Sequence, residues 1–321
     1  MNIAVVGGGV AALEAAIAAH TTAPDAQITL FAGEKLRPYR RPMLSGLLKG
    51  NAVDEKIFFL KPEEFFPANN IALHLDSPVE AIKEQFLLLA DGTMHHFDRL
   101  ILATGSKANV PKVPIAPGAL VFTLREYQDL VKLNAFLPDC REVVIIGGSV
   151  LGLEIADSLL ARGLRVTVLE RSAQLFPNRL APEAAAELLA RLNARDNLQI
   201  ICGSGIAGVS RAGVLNERGM IYPGDAVIFA TGAAPRTILA AEAGIAVGRG
   251  ITVNSAMQTS RADVFAAGDA AELDGRTFGL FTDAMSTGRI AGINAAGGNA
   301  AFEMKNTPLR LFALGEKLTM P

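Results

Sequence analysis

The chain has 321 residues, with 30 Lys and Arg against 32 Asp and Glu, a formal net charge of −2 at neutral pH. That balance argues against a general affinity for nucleic acid or an anionic membrane surface, and the length exceeds what one core ordinarily organises, so two domains are expected. Hydrophobic residues make up 50% of the chain and aromatics only 6%, the Ala, Val, Ile and Leu balance of parallel sheets covered on both faces.

The first predicted element is an apolar strand, Ile3-Ala4-Val5-Val6, which runs into Gly7-Gly8-Gly9-Val10-Ala11-Ala12. A helix over about Ala11 to His20 and a strand, Ile28-Thr29-Leu30-Phe31, complete a βαβ half. Gly7 turns tightly out of the strand, Gly9 allows a pyrophosphate to approach, and Ala12 lets helix and strand pack. The phosphates would meet free N–H groups at the positive end of the helix. A carboxylate about 20 residues on normally takes the ribose hydroxyls; here it arrives slightly late, at Glu34. The apolar start lacks a basic leader segment and carries Glu14, so it does not read as a secretory signal. No apolar run approaches the ~18 residues of a membrane span, and a cytoplasmic location is expected.

A basic, proline-containing stretch follows, from Lys35 to Pro42. Seven basic residues (35, 37, 40, 41, 49, 56, 61) lie between Lys35 and Lys61 against two acidic ones (54, 55). Steering of an acidic partner and ordinary surface charge both account for them. His95 and His96 follow a turn at Asp91-Gly92 and suit a partly exposed strand. The strand Arg99-Leu100-Ile101-Leu102 enters Ala103-Thr104-Gly105, and residues 106–117, with three prolines, look like a crossing between domains.

The pattern then recurs. Val143-Val144-Ile145-Ile146 leads into Gly147-Gly148-Ser149-Val150-Leu151-Gly152, and the next strand ends at Glu170. The unit closes with Ala226-Val227-Ile228-Phe229 before Ala230-Thr231-Gly232. One glycine fingerprint is weak evidence; two imply two dinucleotides in one chain, the usual reason being to pass a hydride between them. Ser149 replaces the second glycine, where its side chain could crowd a pyrophosphate or donate to it. A last strand, residues 263–267, enters Gly268-Asp269, and a helix is predicted from about Asp283 to Ala296. Cys140 and Cys202 stand far apart, in no metal or CxxC spacing.

In this order, Gly7, Gly9 and Ala12, Ala103-Thr104-Gly105, the second fingerprint, Ala230-Thr231-Gly232 and Ala267-Gly268-Asp269 resemble the pyridine nucleotide–disulfide oxidoreductase superfamily of flavoproteins. The resemblance covers essentially the whole chain. It implies an α/β fold of two Rossmann-like dinucleotide-binding domains, glutathione-reductase-like. A discontinuous FAD domain would span residues 1–110 and 236–321, and an NAD(P)H domain residues 111–235. Relatives continue into a C-terminal interface domain, which is expected to be absent from a chain ending at Pro321. FAD would be held by Gly7, Gly9, Ala12, Glu34, Arg41, Pro42, Ala103, Thr104, Gly105, Gly268 and Asp269, the last on a ribityl hydroxyl. The nicotinamide cofactor would be held by Gly147, Ser149, Gly152, Glu170 and Gly232. Asp283 is read as a simple cap of its helix, whose N-terminus would favour an anionic reduced flavin.

Thiol relays are excluded by composition, because no cysteine stands beside the flavin or in CxxC form. Tyr39-Arg40-Arg41-Pro42-Met43-Leu44-Ser45 is similar to rubredoxin reductases and to the flavin module of NADH-dependent nitrite reductases. Ferredoxin reductases of oxygenases usually carry lysine after Leu-Ser, where this chain has Gly46. By this resemblance, NADH reduces FAD, and the electrons go to a small acidic redox protein such as rubredoxin. Glu154 is the candidate catalytic group beside the nicotinamide. Glu170 favours NADH over NADPH, with Arg171 the minority case for NADPH. The alternatives are a flavin module beside a nitrite-reductase-type partner subunit, direct donation to oxygen or a quinone, and a non-catalytic FAD-binding redox sensor.

Overall fold

A computed structural model describes residues 1–304 and 307–321. The chain divides into two compact units. The first comprises Met1–Arg40, Asp54–Lys107 and Ala233–Met304. The second comprises Arg41–Val53, Ala108–Gly232 and Lys305–Pro321, with residues 305 and 306 outside the described set.

The first unit is built on a five-stranded parallel sheet in the order Val264–Ala266, Arg99–Leu102, Asn2–Val6, Gln27–Phe31, Ile71–His74. Its strands are nearly continuous apolar runs because both faces are covered; Val5, Leu30, Leu100 and Ile101 are fully buried. The helix Val10–Thr22 follows the first strand. Its alanines favour the helix, and it ends where Pro24 disfavours a helical residue before it. Buried residues surround most of this helix. The helix Phe281–Ala295 lies against it, with Gly288 and Gly292 facing the backbone of Ala11 and Ala15. A Cβ on Gly288 would lie 2.3 Å from the Ala11 carbonyl oxygen, and one on Gly292 would lie 2.2 Å from that of Ala15. An antiparallel meander, Val79–Lys83, Phe86–Leu89 and Met94–His96, also belongs to the unit. His95 is half-buried and His96 exposed on its last strand.

The second unit repeats this plan. Its parallel sheet runs Leu198–Ile201, Arg165–Leu169, Glu142–Ile146, Ala226–Phe229, Val121–Thr123. A second antiparallel meander, Ile206–Ser210, Gly213–Asn216 and Ile221–Tyr222, again precedes the strand that ends in Ala-Thr-Gly. The units differ in their outermost strand. In the first it follows the Ala-Thr-Gly strand in sequence, and in the second it precedes the fingerprint strand. A hairpin of Leu309–Ala313 and Glu316–Met320 packs on the helix Val150–Leu160, burying Leu311.

Asp225 anchors the start of the Glu142–Ile146 strand. Its Oδ2 accepts from the backbone N–H of Arg141 at 2.7 Å and of Glu142 at 3.0 Å. Those two bonds hold its carboxyl below the usual carboxylate range. A group with a depressed folded-state pKa contributes stability above its unfolded-state value, lost as pH falls through the folded one. Asp225→Ala is expected to cost about 1 kcal/mol near neutrality after discounting for exposure. At a pH acid enough to protonate the carboxyl in both states, that cost should nearly vanish. Denaturant unfolding of both proteins at the two pH values tests this; an equal cost at low pH would assign the residue to packing.

Candidate functional site

In the first unit the strand order reverses between Asn2–Val6 and Arg99–Leu102, which opens a crevice at their carboxyl ends. Gly7 lies there at φ +144°, donating its N–H to the Phe31 carbonyl. A Cβ on Gly7 would stand 2.0 Å from the Ala103 carbonyl oxygen, so only glycine fits against the Ala-Thr-Gly turn. Gly9 is the N-cap of the Val10–Thr22 helix and has no side chain to bond the N–H groups of its first turn. Ala12 is fully buried, as the third small residue of the fingerprint should be.

Glu34 lies just beyond the second strand and accepts from the Tyr39 hydroxyl at 2.8 Å. Tyr39 is buried and its ring stacks on Phe58. Thr104 turns its hydroxyl to the Arg236 carbonyl, and Gly105 accepts the Arg236 N–H. Asp269 stands in the turn Gly268–Ala270, its Oδ2 accepting from Ser106 Oγ at 3.0 Å. Beneath it Gly268 N–H donates to Thr287 Oγ1, which donates to the Asp283 carbonyl. Leu280, rather than Asp283, is the N-cap of the last helix, and Asp283 falls within its first turn. There its charge meets the helix dipole favourably.

The second unit has an equivalent crevice. Gly147 lies at φ +112°, and a Cβ there would stand 2.5 Å from the Ala230 carbonyl oxygen. One on Gly152 would stand 2.0 Å from the Gly147 carbonyl oxygen. Ser149 is engaged within the chain. Its hydroxyl turns inward, donating to the Ala230 carbonyl at 3.0 Å and accepting from Gly152 N–H at 3.3 Å as the helix N-cap. Glu170 accepts from Gly148 N–H through one oxygen and Ser172 N–H through the other, which fixes the carboxylate in position. Each oxygen keeps further acceptor capacity for hydroxyl donors. The Thr231 hydroxyl donates to the Asn109 carbonyl and Gly232 accepts from Asn109 N–H, repeating the role of Thr104.

The segment Arg41–Val53 belongs to the second unit. Arg41 donates to the Arg125 carbonyl, and Pro42 lies exposed in the turn Arg41–Met43. Ser45 is 4% exposed and donates to Glu154 Oε2 at 2.8 Å. Its own carbonyl accepts from Ser158 Oγ, and Lys49 pairs with Asp157 at 2.8 Å. One face of the Val150–Leu160 helix thus grips this segment. Burial pushes the Glu154 carboxyl above the usual carboxylate range, the Ser45 hydroxyl pulls it back, and Asp157 pushes it up.

Sequence reasoning missed Tyr39, Ser45, Ser106 and Thr287 as supports of the candidate carboxylates and turns. One signal was present: Ser106 follows the first Ala-Thr-Gly, whereas Ala233 follows the second. Burial disfavours the thiolate form of both cysteines. Cys140 is pushed up to about 11, chiefly by burial, and burial raises Cys202 as well. The basic run is partly neutralised inside the chain, through Lys35 with Asp76, Arg37 with Glu55 and Lys49 with Asp157.

In each unit the glycine turn packs on backbone where no Cβ fits, with a helix N-terminus behind it and a carboxylate beside it. The residues present therefore fit two dinucleotides. Among the described residues, no helix is long and apolar enough to cross a membrane.

Residues 1–300 match the family model described as pyridine nucleotide-disulphide oxidoreductase. A nitric oxide reductase FlRd-NAD(+) reductase of Escherichia coli is 30% identical over the whole of this chain and 84% of its own length. The NADH:rubredoxin oxidoreductase of Clostridium acetobutylicum is 29% identical, covers 98% of this chain and 80% of its own, and superposes with a TM-score of 0.85. A ferredoxin reductase of Rhodopseudomonas palustris is 27% identical over 99% of this chain and 81% of its own, with a TM-score of 0.91. Their agreement with the twin crevices leads to one conclusion: the chain belongs to the pyridine nucleotide-disulphide oxidoreductase family.

Proposed function

We propose that the chain is an FAD-dependent NADH oxidoreductase that passes electrons to a small redox protein of the rubredoxin or ferredoxin kind. The observation that carries this reading is the pair of equivalent crevices, each at a strand-order reversal, in a chain whose two cysteines, Cys140 and Cys202, stand far apart in sequence. Bound there, the two cofactors would supply hydride transfer and release of single electrons. The chain's part is to bind, orient and polarise.

FAD is assigned to residues 1–110 and 236–321. Its pyrophosphate falls to Gly7, Gly9 and Ala12, its adenosine ribose to Glu34, its ribityl chain to Asp269 and the Gly268 turn. Ala103-Thr104-Gly105 completes the set within the first unit. NADH is assigned to residues 111–235, through Gly147, Ser149, Gly152, Glu170 and Gly232, with Glu154 beside the nicotinamide. The inward Ser149 hydroxyl takes up one helix N–H, so fewer donors remain for the pyrophosphate than in a glycine fingerprint. Glu170 favours NADH, because a fixed carboxylate accepts from ribose hydroxyls and repels a 2′-phosphate. The acceptor class follows the relatives' names, an acidic surface on it suits the remaining basic charge of residues 35–61, and a cytoplasmic location suits such a partner.

The test is anaerobic. Addition of NADH should bleach the yellow protein, and reduced protein should then reduce rubredoxin, more slowly as ionic strength rises. Persistent colour after NADH would overturn the reading; a preference for NADPH would overturn the role of Glu170.

A further inference from the structure

The basic side chain nearest to Glu154 in sequence within the gripping segment, Lys49, is paired with Asp157, one turn further along the same helix. What reaches Glu154 is a neutral hydroxyl, Ser45 Oγ, at 2.8 Å. The same hydroxyl lies 3.3 Å from the Pro42 carbonyl oxygen. A serine hydroxyl has one hydrogen to donate and lone pairs to accept with, so it can satisfy one of these two oxygens at a time. Two arrangements are complete. With Glu154 ionised, Ser45 donates to it. With Glu154 protonated, the carboxyl donates to Ser45 Oγ and the serine hydrogen turns to Pro42. In both states Glu154 and Ser45 Oγ stay hydrogen-bonded to each other, so the carboxyl does not lose its partner when its charge changes, a loss that makes other buried charges costly to titrate.

We propose that Ser45 is a reversible hydroxyl switch for Glu154, and that the charge it permits on Glu154 sets the preference of the nicotinamide site for the oxidised over the reduced ring. The second half rests on the placement of Glu154 beside the nicotinamide given above. An ionised carboxylate attracts the cationic oxidised ring and is indifferent to the neutral reduced one, so higher pH favours NAD+. Burial and Asp157 raise the titration of Glu154, and Ser45 opposes them. Other charged groups stand on the elements packed against this helix: Arg41 and Lys49 flanking Leu44–Leu47, Glu142 and Arg165 on the neighbouring strands, and Arg310 on the hairpin. Glu142 and Arg165 pair with each other, and Lys49 pairs with Asp157.

The test uses the flavin-loaded full chain, with NAD+ and NADH binding measured separately from about pH 5 to about pH 9. NAD+ affinity is expected to rise about tenfold through one single-proton transition, while NADH affinity stays flat. Glu154→Gln should abolish the transition. Ser45→Ala should move its midpoint upward, because the donor that favours the carboxylate is gone, and Ser45→Thr should restore it. Infrared difference spectra without nucleotide should lose a protonated-carboxyl band over the same pH range, and Glu154→Gln should lack that band. A transition that persists in Glu154→Gln, or a wild type with no transition, overturns the proposal. If Ser45→Ala does not fold, the Gln and Thr variants and the infrared band still decide. Failure of both nucleotides to bind at any pH overturns the nicotinamide placement instead, and the infrared titration then judges the hydroxyl switch alone.

Discussion

Gly7→Ala is expected to purify without flavin, and Gly147→Ala with flavin but unable to be reduced by NADH. In both, the added methyl meets a carbonyl oxygen of the Ala-Thr-Gly turn, at 2.0 Å from Ala103 and 2.5 Å from Ala230. Those oxygens belong to backbone fixed by the parallel sheet, since Ala103 N–H donates to Val6 and Ala230 N–H to Ile146. Neither turn can yield by rotating a side chain. Backbone strain at positive φ together with overpacking costs roughly 3 kcal/mol, about a hundredfold in occupancy. The measurement is the flavin-to-protein absorbance ratio, followed by anaerobic NADH titration. Gly7→Ala that keeps its flavin and loses NADH binding would reverse the assignment of the two crevices. Loss of both functions in both variants would mean that each change unfolds the protein as a whole.

The second large effect concerns the contact between Val10–Thr22 and Phe281–Ala295. In an exposed helix, replacing glycine by alanine gains about 1 kcal/mol. At Gly288 and Gly292 the sign should invert. The added Cβ atoms would lie 2.3 Å and 2.2 Å from the carbonyl oxygens of Ala11 and Ala15, so the helices must separate. Overpacking of this kind costs about 1–3 kcal/mol per site for alanine, and valine should cost more. Because Ala11 and Ala12 belong to the fingerprint, separation also displaces the turn that Gly7 starts. Flavin release on heating should come several degrees earlier in Gly288→Ala and earlier still in Gly288→Val. A Gly288→Ala protein more stable than the wild type would refute the close crossing.

Much of the site was legible because it is local. A glycine fingerprint, the strand before it and the helix after it are consecutive residues, and their geometry follows from backbone sterics over a few bonds. Asp269 was singled out by the family resemblance, with a strand that ends in Gly-Asp ahead of a helix as its local context. Ser149 shows the limit. The sequence marks a departure there, but the direction of its hydroxyl depends on the Ala230 carbonyl, 81 residues away. Ser45 is a stronger case. It was noticed as part of the Tyr39–Ser45 phrase, yet its partner Glu154 is 109 residues distant.

By itself, then, the sequence determined the duplicated plan, the two glycine turns, the carboxylates placed after them and the absence of a thiol pair, all matters of period, spacing and composition. The tertiary structure alone decided that Gly288 and Gly292 lie against Ala11 and Ala15, that Ser106 supports Asp269, that Lys49 goes to Asp157, and that Ser45 reaches Glu154. The reason is physical. Each of these pairs joins groups far apart in the chain, so no local propensity or periodicity encodes it, and only the packing of helix on helix or segment on helix brings the two atoms within reach.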